Sequence, residues 1–177
     1  MNIVVLAGGL SPERDVSLSS GALIASALSR RGHAVKIIDV YEGICDLPDD
    51  ITAVFERGKS YSSPVGEAEP DLDAVRRRNG NRDALVGPGV LDVCAAADVV
   101  FLGLHGAIGE NGQLQATLDC AGIKHYTGTG YAGALLSMDK DLTKQLISRA
   151  GVPTADWIYF DTATGKKSDI TENVGLP

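Results

Sequence analysis

Residues 99–115, VVFLGLHGAIGENGQLQ, decide the fold. The stretch begins with a continuous apolar run, which is typical of a strand buried on both faces of a parallel sheet. It continues as a loop with glycines at positions 103, 106, 109 and 112, and apolar residues return at helical spacing from Gln113 to Cys120. A strand, a glycine-rich loop and a helix in this order place backbone N–H groups and the positive end of a helix over a ligand.

The same loop carries a histidine and an acid. His105 and Glu110 lie among the glycines, directly after the apolar run. A titratable pair at the carboxyl end of a buried strand favours a functional site over a structural turn. For His105 an alternative stays open, in which the ring only braces the loop.

The amino-terminal region predicts a β-α-β unit. Residues 3–7 and 34–40 are apolar runs of strand length, and residues 16–31 between them have helical periodicity. Such a unit is parallel and right-handed almost without exception. The loop at residues 8–15 lacks the G-x-G-x-x-G spacing of dinucleotide-binding proteins, so it does not predict a dinucleotide site.

In the predicted helix, apolar side chains that include Val16, Leu23 and Leu28 share one face, which we expect to pack on the sheet. Asp15 or Ser17 is placed to cap its amino terminus. A glycine, Gly32, stands where a helix commonly ends.

The rest of the chain alternates between elements and loops. Residues 41–89 are rich in Asp, Glu, Ser, Gly and Pro, which predicts an excursion of loops and short strands. The triplet Arg76-Arg77-Arg78 within it is interpreted as a solvated turn. Further patterns predict helices at 90–97, 131–137 and 140–149, and strands at 98–102, 123–126 and 155–160.

Length and composition predict one reduced, globular domain with a short tail. The chain has 177 residues, 44% hydrophobic and 22% charged, with a net charge of −7. An acidic chain without a long basic run argues against nucleic acid and anionic membranes as partners. Its three scattered cysteines lack metal-ligand spacing, and the apolar run at residues 3–7 is too short for a signal peptide or membrane span. These features predict a cytoplasmic location.

The two glycine-containing loops, at residues 8–15 and 103–112, both follow predicted parallel strands. Ligands of open α/β sheets collect at that edge, where the strand order reverses. Glu13 and the pair of His105 and Glu110 are therefore expected to converge on one small polar ligand. Carboxylates for an ammonium group and loop N–H groups for a carboxylate suit a zwitterion.

Four motifs occur in sequence: GGLSPERDVSL at 8–18, HG-x-x-GENG-x-x-Q at 105–115, YTGTG at 126–130 and MDK-x-x-TK at 138–144. This series resembles the amino-terminal part of the D-alanine–D-alanine ligases, ATP-grasp enzymes of peptidoglycan synthesis. The resemblance covers nearly the whole chain except residues 41–89, which resemble a variable insertion of the longer bacterial ligases.

The resemblance implies an α/β fold, a three-layer parallel sheet with helices on both faces, of the Rossmann-like or flavodoxin-like pre-ATP-grasp type. It implies a substrate-binding domain at 1–125, followed at 126–177 by hinge helices and a truncated start of the central domain. In the family, the nucleotide-binding strands and magnesium-binding carboxylates come later, so this chain alone is expected to be inactive. Lys166 and Lys167 are interpreted as solvated.

The resemblance also implies a reaction: the carboxylate of a first D-alanine becomes a D-alanyl phosphate at the expense of ATP, and the amine of a second D-alanine attacks it. Two residues match catalytic positions, and Glu13 is the one that holds the first ammonium group. The implied catalytic residues are Glu13 and His105, and the implied substrate contacts are Glu13, Val16, Ser17, His105, Gly106 and Glu110.

The implied cofactors are ATP, which Lys140 would reach, and Mg²⁺, for which this chain offers no predicted ligand. The resemblance further implies a homodimer. Lys140 could instead be an ordinary lysine on a helix surface. Two functional alternatives stay open: a D-Ala–D-Ser or D-Ala–D-Lac ligase, or a non-catalytic, flavodoxin-like module that binds a small ligand.

Overall fold

The computed structural model describes residues 1–165, so Lys166 and Lys167 and the rest of the predicted tail lie outside the described residues. Its sheet has the parallel strands β1 (Asn2–Ala7), β2 (Ala34–Asp39) and β3 (Val99–Leu102), in the order β2-β1-β3. Ile3 of the central strand pairs with Val35 on one side and Val99 on the other. The predicted β-α-β unit is confirmed.

The strand predicted at 123–126 is reduced to a single parallel bridge between Val100 and Tyr126. The Val100 N–H donates to the carbonyl of His125 at 2.8 Å, and the Thr127 N–H donates to the carbonyl of Val100 at 3.0 Å. The next donor, the Leu102 N–H, bonds the Thr127 side-chain oxygen at 3.0 Å instead of a backbone carbonyl. A side chain thus ends the ladder after one rung.

Helices cover both faces of the sheet, which confirms the predicted three-layer α/β fold. On one face, α1 (Arg14–Arg30) packs its Ala25 with Val5 of β1 and Val35 of β2. On the other, α3 (Val90–Ala96) and α5 (Gln113–Cys120) enclose the larger apolar core around Leu6. Burial of this apolar surface supplies most of the driving force for folding.

The prediction of which face of α1 is buried was right only for part of that face, since Leu28 is half-buried against the apolar cluster between α1 and the sheet. Val16 is 47% and Leu23 is 69% exposed, whereas small residues such as Gly21 and Ala25 lie against the sheet. A Cβ added at Gly21 would stand 2.8 Å from the Cβ of Ala7, so the helix lies too close to the sheet for large side chains. Close backbone approach, rather than apolar periodicity, selects the buried face.

The ends of α1 differ in how well they were predicted. Glu13 occupies the N-cap position without a side-chain cap, so neither Asp15 nor Ser17 caps the helix. At the other end, Gly32 has φ +86° and its N–H donates to the carbonyl of Ser29 at 2.9 Å, as expected for a glycine that ends a helix.

The excursion at 41–89 contains one helix that the sequence did not predict, α2 (Leu72–Arg78). Asp71 caps it by accepting from the Ala74 N–H at 2.8 Å. The arginine triplet forms its last turn and is therefore not a loop turn, because Asp71 provides the start signal and basic residues favour a helix carboxyl terminus. The rest of the excursion is mainly loop, as predicted, with a 3₁₀ turn at Ile51–Val54.

Three further helices follow β3: α4 (Ala107–Glu110), α6 (Tyr131–Met138) and α7 (Lys140–Arg149). The first, a single turn, lies inside the loop predicted at 103–112. A Cβ at Gly112 would overlap the carbonyl of Tyr131, so α6 packs directly on the start of α5. Within residues 1–165, every helix is too short or too polar to cross a bilayer.

The strand predicted at 155–160 is not formed among the described residues. Side chains of α7 hold this segment along the helix instead. The Lys144 ammonium donates to the carbonyl of Ala155 at 2.7 Å, and the Trp157 indole N–H donates to Asp141 Oδ1 at 2.7 Å. No neighbouring strand within the described part of the chain offers backbone groups to pair with it.

Candidate functional site

The candidate site lies where the loops after β1 and β3 leave the sheet side by side. The chain reaches β2 by way of α1 on one face, and it reaches β3 by way of α3 on the other. The two loops therefore leave neighbouring strands, and the chain continues on opposite faces of the sheet, at the point where the strand order reverses. A crevice at this point is the usual ligand site of open α/β sheets.

The two loops meet at Glu13 and Gly106. A Cβ added at Gly106 would stand 3.0 Å from Glu13 Oε2 and 3.1 Å from Ser11 Oγ. Gly106 has φ +66°, in the left-handed region that favours glycine. The Glu13 carboxylate is exposed, and its backbone N–H donates to Ser11 Oγ at 3.0 Å. A solvent-accessible carboxylate thus faces the backbone of the second loop.

His105 stands next to this contact and is half-buried. Its Nε2 lies 3.1 Å from the hydroxyl oxygen of Ser20 on α1. Sequence reasoning missed Ser20. The available signal was its spacing, because Ser20 follows Ser17 by three residues and so falls on the same side of the helix.

Ser17 on α1 connects the two loops by hydrogen bonds. Its hydroxyl, fully buried, accepts from the Gly8 N–H at 2.9 Å and donates to the carbonyl of Gly103 at 2.8 Å. Its own N–H donates to the carbonyl of Glu13 at 2.9 Å. All the polar groups of the side chain are therefore engaged with the loops themselves.

Arg14 is a second residue that sequence reasoning missed, although it stands in a quoted motif. It is only 4% exposed. Its Nη1 donates to the carbonyl of Gly9 at 2.9 Å, and its Nη2 lies 2.6 Å from Asp39 Oδ2, which has no other polar partner in the described chain. A Cβ at Gly8 would overlap the Asp39 carboxylate. The ion pair and the glycine together fix the first loop on the end of β2.

The opposite carboxylate oxygen of Asp39 organises the turn that follows β2. It accepts from the N–H groups of Tyr41 at 2.9 Å, Glu42 at 3.0 Å and Gly9 at 3.3 Å. Several N–H donors and a guanidinium satisfy a buried charge that would otherwise be costly. Glu42 extends the network to the surface, since its Oε1 also contacts Arg14 and Arg78.

Other predicted site residues lie apart from these contacts. Val16 is exposed on the first turn of α1, and Glu110 is exposed at the end of α4, where its carboxylate makes no hydrogen bond within residues 1–165. Gln115 holds that loop instead, by donating from Nε2 to the carbonyl of Gly109 at 3.0 Å.

Lys140 lies at a second location, a cavity of about 480 Å³ between α7 and the segment after it. Lys144 stands 5.3 Å above the ring of Trp157 in the same cavity wall. Two ammonium groups beside aromatic side chains suit a ligand with phosphates and a flat ring. The cavity is lined by Met138, Asp139, Lys140, Asp141, Lys144 and Trp157–Phe160.

The two carboxylates in this cavity already accept hydrogen bonds from the protein itself. Asp139 Oδ1 accepts from the Leu142 N–H at 2.9 Å, and Asp141 accepts from Trp157 and, at 2.7 Å, from Gln145 Nε2. Across the described residues, no three His, Cys, Asp or Glu side chains group as metal ligands. The residues present therefore do not fit a Mg²⁺ site.

The buried cysteine takes no part in either location. Cys94 is 1% exposed within the core, and burial raises the pKa of its thiol to about 12. A thiol that stays protonated at neutral pH is a poor nucleophile.

Comparison with known proteins agrees with this architecture. The family model described as D-ala D-ala ligase N-terminus matches residues 2–129. The chain is 38% identical over 172 residues to the D-alanine–D-alanine ligase of Lacticaseibacillus casei, which covers 96% of the chain and 48% of that protein. Against the D-alanine–D-alanine ligase of Pediococcus pentosaceus it is 38% identical over 171 residues, covering 93% and 48%. The chain spans about half the length of these curated relatives.

Solved structures give the same fold. The D-alanine–D-alanine ligase of Coxiella burnetii superposes with a TM-score of 0.61 at 23% identity, over 99% of this chain and 50% of that one. The Bacillus anthracis ligase complexed with ATP has a TM-score of 0.60 at 22% identity, over 100% and 45%. The fold, the two converging loops and the match over residues 2–129 together show that the chain belongs to the D-alanine–D-alanine ligase amino-terminal family.

Proposed function

We propose that this chain is the amino-terminal part of a cytoplasmic, ATP-dependent ligase that joins two D-alanines for peptidoglycan synthesis. Within it, residues 1–125 bind the first D-alanine, and residues 126–177 hold the hinge helices and the start of the central domain. The observation that supports this proposal is the close approach of the Glu13 carboxylate to Gly106, where an added Cβ would stand 3.0 Å from Glu13 Oε2, because it brings the two loops together.

Glu13 binds the ammonium group of the first D-alanine. Its carboxylate is exposed beside the second loop, which offers backbone dipoles and a histidine but no lysine or arginine. A charge-assisted hydrogen bond to such a group is short and about twice as strong as a neutral one. His105 and Gly106 complete this end of the site, where a ring nitrogen of His105 supplies a further acceptor.

The other predicted contacts act less directly. Val16 follows Glu13 by three residues, so its exposed side chain lies on the same side of α1 as Glu13, and we assign it the methyl group of the first D-alanine. Ser17 shapes the site through the loops that its hydroxyl joins. Glu110 adds negative charge beside the second loop, which Gln115 holds.

ATP binds at the cavity of Lys140, where lysine ammonium groups and aromatic side chains fit its phosphates and base. When bound, ATP supplies the phosphoryl group that activates the D-alanine carboxylate. The ammonium groups of Lys140 and Lys144 bind its negatively charged phosphates there. Because the described residues do not fit Mg²⁺, the metal belongs to the remainder of a whole ligase in this proposal.

The relatives named above favour D-alanine as the acceptor over D-serine or D-lactate, since they are named D-alanine–D-alanine ligases. A homodimer is the proposed assembly. Both points concern the whole enzyme.

The test joins this chain to the second half of a relative. The chain replaces the matching 172 residues of the Lacticaseibacillus casei ligase, and dipeptide formation is measured with D-alanine, ATP and Mg²⁺. We expect D-alanyl-D-alanine from the chimera and neither dipeptide nor released phosphate from the 177-residue chain alone. In parallel, D-alanine but not L-alanine should shift the NMR signals of both loops in the isolated chain. A folded chimera without activity, together with no preference for D-alanine, contradicts the proposal.

A further inference from the structure

Ser20 of α1 contacts the ring of His105 in the second loop. Ser20 stands on the turn of α1 after Ser17, and its hydroxyl oxygen has two polar neighbours within hydrogen-bond distance. One is the carbonyl oxygen of Ser17 at 3.1 Å. The other is Nε2 of His105, also at 3.1 Å.

A hydroxyl carries one proton, so Ser20 donates to only one of its two neighbours and accepts from the other through its lone pairs. We assign the proton to the Ser17 carbonyl, because a carbonyl oxygen only accepts and a bond to a carbonyl three residues back is one that serines form inside helices. The Ser20 oxygen is then left as an acceptor, so the donor in the second contact is the Nε2–H of His105.

We propose that Ser20 is a positioning residue that holds His105 with its proton on Nε2 and its lone pair on Nδ1. Ser17 supports this arrangement twice, since its carbonyl takes the Ser20 proton and its hydroxyl fixes the start of the His105 loop at Gly103. Ser20 is only partly buried, and helix α1 is anchored on the sheet, so the acceptor is presented from a fixed element.

This arrangement deepens the proposed function and rests on it for its consequence. A neutral imidazole with its lone pair on Nδ1 accepts a hydrogen bond from an ammonium group. In the proposed function, Nδ1 of His105 is then a second acceptor beside Glu13, and an ammonium group has three donors to share between them. If Nε2 were the acceptor instead, the Ser20 hydroxyl would occupy it.

The test reads the ring directly and needs no ligase activity. In the ¹⁵N-labelled 177-residue chain, long-range ¹H–¹⁵N spectra identify the protonated nitrogen of each of its three histidines, and His105→Gln assigns the signal. Above the titration range of the ring, we expect His105 to be protonated on Nε2 and bare on Nδ1. A proton on Nδ1 overturns the inference.

Variants of Ser20 separate this role from a general effect on folding. In Ser20→Ala, exchange of the Nε2 proton with water should become about tenfold faster, because its acceptor is gone. Ser20→Thr keeps the hydroxyl and should restore the wild-type rate. Ser19→Ala is the matched control, since the Ser19 hydroxyl makes no hydrogen bond within residues 1–165 and its loss should change nothing.

Two results would contradict the role of Ser20: an unchanged exchange rate in Ser20→Ala, or equal acceleration in Ser19→Ala. Should Ser20→Ala fail to fold, the wild-type tautomer and the Ser20→Thr rate still decide the point. A loss of D-alanine binding in the whole enzyme with the expected tautomer intact would instead count against the proposed function alone.

Discussion

Helices α1 and α7 begin beside the two candidate binding locations, but they are held in the molecule in different ways. Seven of the 17 residues of α1 are buried, and these include the charged Arg14 and the polar Ser17. None of the ten residues of α7 is buried, and its partners are α6 and the segment around Trp157. The site beside α1 is therefore held by buried residues, whereas the cavity beside α7 is formed by residues on the surface.

The difference matters for what a mutation costs. Buried polar groups of α1 cannot find water when a partner is removed, so the full cost of desolvation falls on the folded state. When a partner of an α7 side chain is removed, water replaces a contact that was already partly hydrated, so the free energy of unfolding changes little. Stability should therefore respond strongly to changes around α1 and weakly to changes around α7.

The largest effect is expected from Arg14→Leu. This change leaves the Asp39 carboxylate buried without its cation and should lower the free energy of unfolding by about 3–5 kcal/mol. Urea denaturation measures it. Arg78→Leu is the matched control, because Arg78 is 54% exposed and shares the same Glu42, so its loss should cost less than about 1 kcal/mol. Equal losses in both variants would show that burial of the network is not what matters.

A smaller loss is expected from Gly8→Ala. Gly8 has φ +70° and an added Cβ would overlap the Asp39 carboxylate, so we expect strain and steric displacement together to cost roughly 2–4 kcal/mol. Gly122→Ala shares the strained backbone, with φ +78°, but has no heavy atom within 4 Å of the added Cβ. It should cost about 1 kcal/mol, from the backbone alone. Similar values for the two would remove the role of close packing against Asp39.

Ser17→Ala is expected to cost about 1–3 kcal/mol, because the Gly8 N–H and the Gly103 carbonyl both lose a buried partner. Amide hydrogen exchange should also become faster at Gly8 specifically. A fall in stability without faster exchange at Gly8 would mean that the bridge between the loops does not hold.

The smallest effect is expected at α7. Lys144→Met removes the contacts to Ala155 and to the Trp157 ring and should change the free energy of unfolding by less than about 1 kcal/mol. Trp157 is the only tryptophan of the chain, so its fluorescence reports the loss of the contact directly. A large loss of stability would place α7 among the elements that hold the fold.

The parts of the fold that follow from local pattern were predictable. Apolar runs located β1, β2 and β3, and Gly32 marked the end of α1. The buried face of α1 was not predictable from periodicity. There the helix approaches the sheet at Gly21 and excludes large side chains, which is a tertiary effect.

The position of the candidate site was predictable from the sequence, but the residues that hold its loops in place were not. Strand order and loop position pointed to Glu13 and His105. Arg14 was missed because nothing in its local sequence shows that it turns inward to Asp39, 25 residues later. The strand expected at 155–160 failed for a related reason, since a strand needs a partner and side chains of α7 hold that segment.

Glu13→Gln in the active chimera tests the central claim, that the two loops form one D-alanine site. The variant keeps the shape of Glu13 and removes its charge, so the KM for the first D-alanine should rise roughly tenfold to a hundredfold, equivalent to about 1.5–3 kcal/mol. The KM for ATP and the melting temperature should hardly change. An unchanged KM for D-alanine with a lowered melting temperature would contradict the claim and leave Glu13 as a residue of the helix start.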